Sequence, residues 1–257
     1  MRFSRAVVRP PAATFAAGIT SSGLGAPDLA LALEQHEAYC QALERLGLSL
    51  VRLAPDPAFP DSTFVEDAAI ATTRGAMLTR PGAASRAGEV AALRVALGPW
   101  FPDLDAITAP GTVDGGDVCE AGSHFFIGLS ERTNAEGAAQ LAAWLEQRGF
   151  GSSVIDIRHM PSLLHLKTGI SWLGDRRLLA MDEVAGHEAL GGWEVVRIPA
   201  GEEYAANCLR INDVVVIPQG CPRTASLLGG LGYEVVALDM SEYRKMDGGL
   251  SCLSVRW

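Results

Sequence analysis

A chain of 257 residues, 48% hydrophobic and 20% charged, has the composition of an ordinary globular protein, long enough to bury a substantial core as one large unit or two small ones. Its net charge of −9 argues against nucleic acid or an anionic membrane as partner, since neither attracts an acidic surface, and suits a cationic substrate better. There is no N-terminal signal segment, no apolar run of roughly eighteen residues, and no Cys-x-x-Cys pair among five scattered cysteines, so a reduced, cytoplasmic protein is expected.

In chain order, residues 28–46 carry apolar side chains at helical spacing (Leu29, Leu33, Tyr39, Leu43), which predicts a helix stopping near Gly47. A strand is predicted over 50–53. In Phe64-Val65-Glu66-Asp67, two adjacent acids inside an apolar run are costly to bury alone and call for a cationic partner. A strand over 76–79 and a helix over 89–97 follow. Within 111–117, Asp114 and Asp117 flank Gly115-Gly116, as in any tight turn or in a site that presents carboxylates. Beyond a strand over 125–128, a helix over 134–148 has Asn134 as N-cap and Gly149 as stop. After a strand at 154–157, His165 lies among leucines, as either a core histidine or a base, with His36, His124, His159 and His187 as competitors. Strands over 178–181, 195–198, 214–217 and 235–238 lead to Cys252 behind Gly248-Gly249. A free cysteine is commonly a small buried hydrophobe; as a nucleophile it needs an activating charge.

Asp67, Asp114, His165, Asn207 and Cys252 are separated by 47, 51, 42 and 45 residues. Each heads a strand-turn-strand unit usually followed by a helix and a further strand, which suggests about five copies of one ββαβ-like module. Modules around an axis would bring the heads together; the competing reading is that strand-rich chains have turn signals at such intervals anyway. A thiol, an imidazole, an acid to orient it and carboxylates for a cation together suggest nucleophilic attack on a positively charged carbon. Arg86 and Arg132 precede helices, where a carboxylate ligand is favoured, although each is equally an ordinary surface arginine. No Walker loop, Rossmann fingerprint or metal-spaced His/Glu motif is present.

The segments Phe59-Pro60-Asp61-Ser62-Thr63-Phe64-Val65-Glu66-Asp67, Thr79-Arg80-Pro81-Gly82-Ala83 with Ser85-Arg86, Gly111-Thr112-Val113-Asp114-Gly115-Gly116-Asp117, Arg132-Thr133-Asn134, Leu164-His165-Leu166-Lys167-Thr168-Gly169, Tyr204-Ala205-Ala206-Asn207-Cys208 and residues 241–252 form an ordered series over the whole chain. The series resembles the dimethylarginine dimethylaminohydrolases, in their bacterial branch, of the guanidine-modifying superfamily with the pentein fold. The resemblance implies one catalytic unit over residues 1–257, a pseudo-five-fold α/β-propeller, with no cofactor or metal. It implies Cys252 as nucleophile, His165 as general acid/base and Asp114 as its orienting acid, where many bacterial relatives have glutamate. Glu66 and Asp67 would face the substrate guanidinium, with Asp61 and Phe64 nearby. Arg86 and Arg132 would meet the α-carboxylate. Carbonyls of Ile19, in a lid, and of Met246, beside Asp247, would hold the α-amino group.

Arginine, agmatine and peptidylarginine deiminases carry an aspartate two positions after the catalytic histidine; here that position is Lys167. Lacking that carboxylate, the site resembles one for an N-methylated guanidinium, which has fewer N–H donors to satisfy. The expected reaction is hydrolysis of asymmetric dimethylarginine or monomethylarginine to citrulline and an amine through a covalent S-alkylthiouronium. The expected partner is that small molecule, with neither nucleic acid nor membrane and a homodimer left open. The competing readings are a deiminase or amidinotransferase on another guanidino compound, a non-catalytic guanidine binder, and a zinc-binding protein using Cys252 and His165.

Overall fold

Short mixed sheets follow one another around an axis in the computed structural model, which describes residues 2–257. The strands are β1 (Arg5–Val8), β2 (Ser49–Arg52), β3 (Ala69–Thr72), β4 (Gly75–Leu78), β5 (Asp105–Ala106), β6 (Val118–Ala121), β7 (His124–Leu129) and β8 (Gly151–Asp156). They continue with β9 (Ile170–Gly174), β10 (Arg177–Ala180), β11 (Glu194–Arg197), β12 (Leu209–Ile211), β13 (Val214–Pro218), β14 (Glu234–Leu238) and β15 (Val255–Arg256). Four sheets are consecutive triplets from β3 to β14; the fifth has the order β15-β1-β2. In every sheet the first pair is antiparallel and the second parallel.

A parallel pair needs a crossover, and helices supply it. They are α1 (Leu29–Arg45), α2 (Val90–Leu97), α3 (Ala135–Gln147), α5 (Asp182–Ala185) and α6 (Pro222–Gly230), while α4 (Leu166–Gly169) precedes β9 and α7 (Ser241–Arg244) follows β14. The repeated ββαβ module and the five-bladed α/β-propeller match the expectation. None of these helices is long and apolar enough to cross a membrane.

Strand sequence explains the packing. Successive side chains point to opposite faces, and the middle strand of each sheet is buried on both. Ala6 and Val8 enter the apolar cluster shared with the β12–β14 sheet, whereas Val7 enters the one shared with the β3–β5 sheet. Phe125 and Ile127 diverge likewise from Phe126, and Val215 and Ile217 from Val216. Five apolar clusters therefore fill the five gaps between neighbouring sheets.

Element ends differ from the sequence reading by a residue or more. Asp28 lies outside α1 as its cap, accepting the N–H groups of Ala30 and Leu31, and Asn134 does the same for Gly137 at α3. Glu89 ends a short 3₁₀ segment before α2. Strands β1, β3, β5, β6, β9, β12 and β15 have no counterpart in the sequence reading. They are two to five residues long, too short to show a period, and pairing with a neighbour creates them.

The five head residues lie at the short turns that open the modules. The turn Val65–Ala68 packs on the turns Ser251–Leu253 and Gly115–Asp117, and α4 packs on Gly115–Asp117 and Glu203–Ala206. Strand β15 closes the ring by pairing Ala6 with Arg256 and Val7 with Val255, which brings Cys252 to the axis.

Candidate active site

Glycines let the head turns converge. A Cβ on Gly116 would fall 2.5 Å from His165 Nδ1, and one on Gly115 would strike the Glu66 carbonyl. A Cβ on Gly248 would strike the Phe64 ring and one on Gly249 the Asn207 carboxamide. Both glycine pairs thus serve close approach between segments of this chain.

One cavity collects Cys252, His165 and Asp114 together with Asp67, Arg86 and Arg132, and Ile19, Asp61, Phe64, Met246 and Asp247 also line it. His165 Nε2 meets Asp114 Oδ2 at 3.1 Å, and Asp114 Oδ1 accepts the Gly82 N–H at 2.9 Å, fixing the acid that orients the ring. Burial works against the imidazolium, but Asp67, Asp117 and Asp114 outweigh it and hold His165 up at about 9. Burial also pushes the Asp117 carboxyl up; its oxygens accept from Ser130, Thr133 and the Leu166 N–H, anchoring α4 beside His165. The sequence offered Asp117 only as a flank of the glycine pair.

Burial, reinforced by Glu66 and Asp67, pushes the Cys252 thiol up to about 12. The resting pair at neutral pH is therefore a thiol and an imidazolium. A cation bound beside the carboxylates would offset them and favour the thiolate. Asp67 accepts from the Gly116 N–H at 2.8 Å and from Arg86 Nη1 at 2.6 Å. Burial opposes its ionisation, yet His165 and Arg86 hold Asp67 down at about 2.

Two substrate-binding assignments change. Glu66 does not line this cavity: Lys167 Nζ at 2.6 Å and Arg256 Nη2 at 2.9 Å take one oxygen and the Ser251 hydroxyl at 2.8 Å takes the other. It faces a separate axial cavity shared with Glu120. Two buried cations neutralise it, which is the partner its apolar surroundings demanded. Arg86 does line the cavity, but its Nε and Nη2 hold Glu89, Nη1 holds Asp67, and Nη2 also donates to the Asp61 and Phe64 carbonyls. Of its five N–H groups, little remains for an external carboxylate. Arg132, half-buried, has no such ion pair among the described residues.

The segment from Gly18 to Ser22 straps the opening. Asp61 accepts the Ile19 N–H at 3.1 Å, and Asp247 accepts the Ser21 N–H at 2.5 Å and the hydroxyls of Thr20 and Ser21 at 3.1 Å. The cavity beneath has about 40 Å³ free, room for a few waters. Donor atoms of Asp67, Asp114 and His165 lie within 4.8 Å of one another, a spacing a metal ion can bridge. A metal there would compete with Arg86 and the Gly116 N–H for Asp67 and with the proton on His165.

A family model described as arginine deiminase matches residues 32–192. The N(G),N(G)-dimethylarginine dimethylaminohydrolase of Pseudomonas aeruginosa is 46% identical over 256 residues, covering 99% of this chain and 100% of that protein. Its namesake from Streptomyces coelicolor is 35% identical over 261 residues, covering 100% and 98%. A solved structure of the Pseudomonas aeruginosa enzyme, a cysteine-to-serine variant with citrulline, superimposes with a TM-score of 0.96 at 45% identity over 100% of both chains. With likeness sustained over the full length in both sequence and fold, this chain belongs to the dimethylarginine dimethylaminohydrolase family.

Proposed function

We propose that this protein hydrolyses Nω-methylated arginines to citrulline and methylamine or dimethylamine, with Cys252 as nucleophile, His165 as general acid and base, and Asp114 orienting His165. The observation that carries the reading is the meeting of a protonated imidazole, a buried thiol and the ionised Asp67 in one small strapped cavity. The substrate guanidinium enters beside Asp67, and its charge favours loss of the thiol proton to solvent. The thiolate adds to the guanidinium carbon, forming a C–S bond. His165 protonates the dimethylamino nitrogen, the C–N bond breaks, and a cationic S-alkylthiouronium remains. Neutral His165 then takes a proton from water as its oxygen adds to that carbon. The C–S bond breaks, the thiolate leaves, and citrulline forms with release of one proton. Arg132 anchors the α-carboxylate, and Arg86 holds Asp67 in its ionised form. Lys167 is turned to Glu66, so no carboxylate at its position clamps the methylated nitrogen.

Incubation with asymmetric dimethylarginine should yield citrulline and dimethylamine in equal amounts, and Cys252→Ser should yield neither. Ammonia from free arginine, with no dimethylamine from the methylated compound, would replace this reading by that of a deiminase.

A further inference from the structure

Asp67, Asp114, His165 and Cys252, four of the five evenly spaced heads, have a place in the chemistry above. The fifth, Asn207, follows the turn Glu203–Ala206 and is 8% exposed. Both ends of its carboxamide are in use. Oδ1 accepts the Ser251 N–H at 2.9 Å, and Nδ2 lies 3.8 Å from Cys252 Sγ. A main-chain N–H can only donate, so the oxygen must face Ser251 and the NH₂ must face the sulfur. Gly249 holds the carboxamide in place; a Cβ there would fall 2.5 Å from Asn207 Cγ.

The charges around the sulfur explain why such a donor matters. Burial, Glu66 and Asp67 all disfavour the thiolate, and Lys167, the cation on the other side of the balance, is already paired with Glu66. A neutral N–H donor stabilises sulfur anion without adding a cation that would repel the substrate. A hydrogen bond to an ionised acceptor is about twice as strong as one to a neutral group, so this contact gains strength as the thiol ionises.

Resting on the assignment of Cys252 as nucleophile, we propose that Asn207 is a further catalytic residue, whose Nδ2–H donates to the Cys252 sulfur, stabilising the thiolate before attack and again when the C–S bond breaks. Asn207 neither gives nor takes a proton. It acts on the nucleophile, so the contribution falls on kcat and leaves KM in place.

Asn207→Asp keeps the shape and the acceptor for Ser251 but removes the NH₂; Asn207→Ala removes both. Both are assayed at pH 9, where a carboxyl is ionised, for turnover of asymmetric dimethylarginine and for iodoacetamide alkylation of Cys252 mapped by peptide mass. In Asn207→Ala, loss of one charge-assisted donor should raise the thiol by about one unit and lower kcat about tenfold, with KM within about twofold, and in Asn207→Asp the added carboxylate beside the sulfur should deepen the loss. Alkylation should slow about threefold, because a tenfold loss of thiolate is partly offset by the greater reactivity of a more basic sulfur. Wild-type alkylation rates in the variants would overturn the proposal even if kcat fell, since a merely structural role leaves the thiol untouched. A rise in KM with kcat unchanged would overturn it as well. Should Asn207→Ala fail to fold, Asn207→Leu, uncharged and close in size, takes its place. Alkylation needs no substrate, so it reads independently of whether the protein hydrolyses dimethylarginine.

Discussion

Arg86 and Arg132 line the same cavity, yet only Arg86 is held in buried ion pairs, and their removal should differ accordingly. Arg86→Ala would leave Asp67 and Glu89 buried without their cation, a loss of about 3–5 kcal/mol for a broken buried pair. In a chain of this size that corresponds to a fall in Tm of about 10 °C, measurable by calorimetry. Arg132→Ala should leave Tm nearly unchanged and raise KM for methylarginines about tenfold or more, with little effect on guanidines that lack an α-carboxylate. Equal Tm losses in the two variants would contradict the division. Protonation adds a second check at this scale. Burial opposes but Asp67, Asp117 and Asp114 sustain the His165 imidazolium, so the acid proposed to protonate the leaving amine is present below about 9 and lost above it. Burial, Glu66 and Asp67 hold the thiol at about 12, so the thiolate grows with rising pH throughout this range. In steady-state assays kcat/KM should therefore climb through neutrality, and kcat, measured with substrate charge already beside the thiol, should decline as pH passes about 9. Flat profiles would refute both assignments.

At the level of elements, the site depends on turns rather than on the strands behind them. The turn Gly115–Asp117 packs against Val65–Ala68 and α4, and it presents the Gly116 N–H to Asp67 while touching the His165 ring. A methyl group at Gly116 would press on His165 and on Asp67 Oδ1, 2.9 Å from the new Cβ, without meeting the apolar clusters. Gly116→Ala should thus lower kcat about a hundredfold through misplacement of the catalytic groups, with circular dichroism unchanged. Wild-type kcat in this variant would mean that the turn has slack the packing does not show. The strap from Gly18 to Ser22 follows a related logic. It is fastened by Asp61, Asp247 and the Lys245 carbonyl rather than by apolar burial, and Ile19 is 44% exposed, so the hydrogen bonds that hold it are ones that water can replace.

For the molecule as a whole, a ring of small sheets leaves an axial cavity, and ionisable groups there make stability depend on pH. Glu120 faces this cavity with Oε1 unpartnered; burial holds its carboxyl up at about 8 against the pull of Arg256 and Lys167. Its contribution to stability is complete below its unfolded value of 4.5 and is lost as pH rises through 8. His165 has the same sign, complete below 6.5 and lost as pH rises through 9. Thermal stability should therefore decline from pH 5 to pH 9. Glu120→Gln, neutral throughout, should match the wild type at pH 5 and melt higher than it at pH 9. A parallel decline in the two proteins, followed by differential scanning fluorimetry, would show that Glu120 ionises freely in the fold.

Much of this protein was legible in its residue order. The caps at Asp28 and Asn134 act within three residues, so local sequence suffices to place α1 and α3. The near-equal spacing of Asp67, Asp114, His165, Asn207 and Cys252 reflects one module repeated, and repetition around an axis is enough to bring distant heads together. The ordered motifs identified the family, and every residue the resemblance named for the site except Glu66 lines one cavity. Pairwise allegiance was not legible. Whether Glu66 faces a substrate or Arg256, 190 residues away, is decided by which side of the axis its turn exposes. Arg86 turns to Asp67 and Glu89 because burial makes an unpaired guanidinium and unpaired carboxylates more costly than an internal pair. The amide of Asn207 acquires a direction only when the last strand, closing the first sheet, lays the Ser251 N–H and the Cys252 sulfur on either side of it. Local order chose the groups and their intervals; desolvation, acting only once the chain had closed on itself, chose their partners.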